Sequence, residues 1–179
     1  MPFDPTKPAE HSDLSSQVVR DQLNALKALL DALPAGAAGR VAADWTSGSA
    51  TFSDVAGLSF AVAAGENWSA EIVLHVISGT TGQGLKLRAS GPGAGGVTIA
   101  MQGTGTSGSS TIECEVQTAF SVAAPAKTFC AGSSLVGVVR VHLVVVNATA
   151  GTVQLQAANS SGSGTVTIKA GSDLVARRT

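Results

Sequence analysis

Glu113 and Glu115 stand one residue apart in STIECEVQ, on either side of Cys114. In an extended segment residues i and i+2 share a face. Two carboxylates so placed could divide acid and base roles, as they do in glycosidases. The alternative is a solvated strand face with no part in catalysis, and we adopt it. The chain has three histidines, His11, His75 and His142. Zinc would need them to converge with a further ligand, and no C-x-x-C or H-x-x-x-H spacing brings them together. They read as surface or subunit-contact histidines. The stretches GPGAGG (residues 91–96) and GTGTSG (residues 103–108) both match G-x-G-x-x-G. A dinucleotide site needs a helix to follow, so that its N-terminus faces the pyrophosphate. The segments that follow, VTIAM and STIECEV, read as strands, so both glycine-rich stretches read as turns. No nucleophile elbow, P-loop or Asp-rich calcium loop is visible. No catalytic residue, cofactor or metal is therefore assigned, and no enzymatic activity is expected. Cys114 and Cys130 are too few for a disulfide framework and read as a buried, reduced pair.

Composition points to assembly. The 179 residues are 44% hydrophobic and only 13% charged, against about 25% charged in an ordinary soluble domain. A free monomer so poor in charge would be sticky, so copies of the chain or a larger structure should cover much of its surface. With a net charge of −1 and no basic run, nucleic acid is not an expected partner. The longest apolar run, LVGVVRVHLVVV (residues 135–146), contains Arg140 and His142 and is too short for a membrane span. The opening MPFDPTKPAEH has no apolar core of an export signal.

The elements that must position any site divide sharply. Residues 1–13 are polar and proline-rich and read as an extended arm. Residues 14–34 read as a helix. Ser15 is placed to cap it, with Leu14 and Val19 as a hydrophobic staple. Val19, Leu23, Leu26, Leu30 and Leu33 follow at spacings of 4, 3, 4 and 3, a heptad seam for oligomerisation or anchoring. Residues 35–44, containing the end of PAGAAG, read as a linker. From Trp45 to the end the period changes to two. Segments such as WSAEIVLHVI, VTIAMQ, TVQLQAA and DLVARR alternate, and Gly-, Ser- and Asn-rich turns separate them. The expected fold is mainly β: a jelly-roll β-sandwich of eight to ten antiparallel strands over residues 45–179, preceded by one N-terminal α-helix. Several strands are apolar on both faces, which suits contact with other subunits. Trp45, at the start of the β-domain, is the aromatic best placed for a ligand such as a host glycan.

Two regions carry a family resemblance. RDQLNALKALLDA resembles the N-terminal segment of many tailed-bacteriophage virion proteins, where such a helix precedes a β-domain. SDVAGLSFAVAAGENWSAEIVLHVIS, with GTVTIKAGSDLVARR, is similar to the β-domain of phage head-fibre, decoration and tail-appendage proteins. Those domains are like tumour-necrosis-factor jelly rolls and are usually trimeric. Trp68 stands where such sequences often have Tyr, and Asp173 where an aromatic or apolar residue is common. The resemblance implies a homotrimer on the capsid surface of a virion, made in the bacterial host cytoplasm and bound to other virion proteins, the major capsid protein first among them. A chain with one short helix and no shaft fits a decoration (cement) protein. The alternative is a tail appendage or receptor-binding module that recognises host surface glycans.

Overall fold

The computed structural model describes residues 16–32, 36–79, 83–104, 112–123, 125, 127–130 and 136–179. The chain divides into two compact units, Met1–Pro34 and Ala35–Thr179.

The first unit contains helix α1, Ser16–Ala32. Seventeen residues of helix are marginal in water without packing. Gln17 Nε2 donates to Asp21 Oδ1 one turn on, at 2.9 Å. Val19, Leu23 and Leu26 of the seam are exposed, Leu23 and Leu26 by more than half, at 58% and 54%. Ser15, Leu33 and the side chain of Leu30 lie outside the described residues.

The second unit is a mainly β, antiparallel sandwich. Eleven strands are present among the described residues: β1 Gly36–Arg40, β2 Trp45–Ser47, β3 Ser53–Val62, β4 Trp68–Ser78, β5 Leu85–Ser90, β6 Ala94–Thr104, β7 Ile112–Gln117, β8 Val136–Ala148, β9 Gly151–Asn159, β10 Val166–Ile168 and β11 Asp173–Arg178. The larger sheet runs β1-β11-β4-β8-β6-β7, with β10 beside the far end of β4 and β2 beyond it. The smaller runs β3-β9-β5. Period-two alternation builds both. In β4, Trp68, Ala70, Ile72, Leu74 and Val76 are buried, and β8 faces them with Val139, Val141, Leu143 and Val145. The smaller sheet closes the core with Phe60, Val62, Leu85, Leu87, Val153 and Leu155. Phe60 and Trp68 pack at 5.4 Å between ring centroids.

Two expectations are corrected here. Residues 45–179 hold ten strands, β2 to β11, among the described residues, and the first correction is that residues 36–40 are not linker but an added edge strand β1, in register with β11 from Gly36↔Arg177 to Arg40↔Asp173. GAAGR lacks the apolar alternation that marks a strand. Its smallness is what admits it, since β1 crosses a bulge in β3. A Cβ on Gly39 would lie 2.1 Å from the carbonyl oxygen of Gly57, and one on Gly57 the same distance from that of Arg40. Gly57 also has φ +86°, which glycine alone adopts freely. The second correction concerns residues 91–96. Ala94, Gly95 and Gly96 belong to β6, with Ala94↔Ala148 and Gly96↔Val146 in register.

Candidate functional site

The outer face of the larger sheet gathers the side chains that the fold leaves open. Register places Glu71 of β4 opposite His142 of β8, and Val73 opposite Arg140. Asp173 and Val175 of β11 flank Val73 and Glu71 on one side. Ala100 and Gln102 of β6 flank His142 and Arg140 on the other, and Val116 and Cys114 of β7 complete those two rows. Between these rows lies a concavity of about 360 Å³, bordered by Glu71, Arg140, His142, Gln102, Ala100 and Val116. A second, of about 260 Å³, is bordered by Ser69, Glu71, Val175 and Arg177.

The chemistry available there is limited. The Ser69 hydroxyl lies 3.2 Å from His142 Nε2, a contact that can resemble half of a nucleophile–base pair. An acyl-transfer site also needs free N–H donors aimed at the developing oxyanion. β4 and β8 are interior strands, each laddered on both sides, so their amides are engaged in the sheet. His75 is two residues from Val73 on the same face and pairs with Val138, not with His142. Among the described residues no group of three or more His, Cys, Asp or Glu could hold a metal ion.

The other sequence-derived candidates sit elsewhere. Glu113 and Glu115 turn away from the face that carries Cys114. Lys127 Nζ pairs with Glu113 Oε2 at 2.8 Å, and the Lys127 backbone N–H donates to Glu115 Oε2 at 2.9 Å. The hydrogen bond that Lys127 Nζ donates to Glu113, with the carboxylate's charge, raises the pKa of Lys127. Gln117 Nε2 donates to Glu115 Oε1 and to the Leu87 carbonyl, tying the edge of the larger sheet to β5. The two carboxylates therefore have structural partners.

The cysteines are both free, but they are not a buried pair: Cys114 is exposed and Cys130 buried. Alternation decides this, since Cys114 falls on the outward phase of β7. Burial pushes the Cys130 thiol up to about 11, with a hydrogen bond to Thr104 opposing. Trp45 is half-buried on β2, where it pairs with Ile168 and packs against the core. Phe52 is half-buried, with the Arg88 guanidinium 4.3 Å above its ring. Phe60, Trp68 and Phe129 are buried, and Phe120 is half-buried. The described aromatics are thus all buried or half-buried. Of the anchoring residues, Val19, Leu23 and Leu26 stand open on α1.

No family model and no curated protein matches the chain. Solved structures give only weak likenesses. They include infectious bursal disease virus Gx strain, at 11% identity with a TM-score of 0.26, and the VP2 subviral particle of the same virus, at 12% and 0.26. A third is the Gt strain, at 10% identity and 0.23. Each alignment covers 82% of this chain, and the chain spans about 40% of the length of those it matches. At these values the fold assignment rests on the strand order and register given above.

Sequence reasoning did not foresee the cluster of open charges on the larger sheet. The alternation in WSAEIVLHVIS already places Glu71 and His75 outward. What the sequence could not supply was the pairing that brings Arg140, Asp173 and Arg177 beside them.

Proposed function

We propose that the chain is a structural component of a bacteriophage virion. In this reading it is a trimeric capsid decoration (cement or head-fibre) protein that attaches to the major capsid protein and stabilises the head. The observation that carries the reading is the open leucine seam of α1. Leu23 and Leu26 are more than half exposed on a short helix, an arrangement that makes physical sense only with a partner. The sandwich unit has its own core and no constellation of reacting groups among the described residues, which suits a projecting structural module. The sequence resemblance to phage decoration proteins supplies the setting. The rival reading, a tail appendage that binds host glycans, draws less support because the described aromatics are buried or half-buried.

The test is co-sedimentation with purified phage heads, comparing the full chain with its Leu23→Asp/Leu26→Asp variant. Burying two carboxylates in an apolar contact costs several kcal/mol, roughly 2–5, so the variant should leave the heads while remaining folded. Undiminished occupancy by the variant would show that the seam is not the anchor.

A further inference from the structure

We draw no further inference here: the strongest candidate, the outer face of the larger sheet with its exposed Val138, Val175, Ile112 and Val116 and its concavity of about 360 Å³ beside Glu71, Arg140 and His142, carries nothing because nothing in the structure shows what covers it.

Discussion

Glu66 shows what a single carboxylate does in this fold. It sits in the AAGEN turn between β3 and β4. Its Oε2 accepts the Ala63 N–H at 2.8 Å and the Trp68 indole N–H at 2.9 Å, and its Oε1 accepts Arg178 Nη1 at 3.0 Å. The backbone N–H of Ala63 first, then Trp68 and Arg178, hold its pKa down from 4.5 to about 2. A carboxylate depressed in the folded state contributes stability that is complete above its unfolded value and is lost as pH falls through the folded one. The wild-type melting temperature should therefore fall more steeply between pH 4.5 and pH 2 than that of Glu66→Gln. Parallel curves would show that the contacts contribute nothing. Cys130 makes a second residue-scale prediction. With its thiol raised to about 11 by burial, too little thiolate forms near neutral pH for reaction. A thiol reagent should label Cys130 only after unfolding, and rapid labelling in the native protein would contradict its burial. The turn at Glu66 was legible in the sequence, but its grip on Arg178, 112 residues away, was not. Local pattern carries no information on such pairings.

Among the elements, β4 and β8 were plain in the sequence because their apolar alternation is long and unbroken. β1 was not, because GAAGR has almost nothing to alternate. It is a strand because β11 offers it an edge and because Gly39 and Gly57 let two backbones touch. Gly39→Val should therefore destabilise the sandwich by about 1–3 kcal/mol, the usual cost of forcing atoms into a closed contact. Chemical denaturation would measure this, and an unchanged midpoint would show that β1 is dispensable. α1 behaves oppositely. Leu23 and Leu26 are exposed, so Leu23→Asp/Leu26→Asp should leave the unfolding midpoint of the sandwich unchanged. A fall in that midpoint would mean that the seam serves the chain's own stability. The heptad spacing announced the helix, but nothing in it says which surface completes the seam.

For the whole molecule, the sandwich follows from alternation and turn chemistry. The contrast between its two outer faces emerges only when the strands are paired. Ser59, Gln154 and Gln156 then gather on one side, and Val138, Val175 and Val116 on the other. Neither set is contiguous in the chain. The low charge of the composition, with Val138, Val175 and Val116 exposed among the polar residues of the larger sheet, favours a surface that is covered in an assembly. In the function proposed here the protein works as an assembly. Sedimentation equilibrium of the full wild-type chain at micromolar concentration tests that most directly. Three chains of 17.7 kDa should move as one species of about 53 kDa. A single species at 17.7 kDa across the concentration range would contradict it.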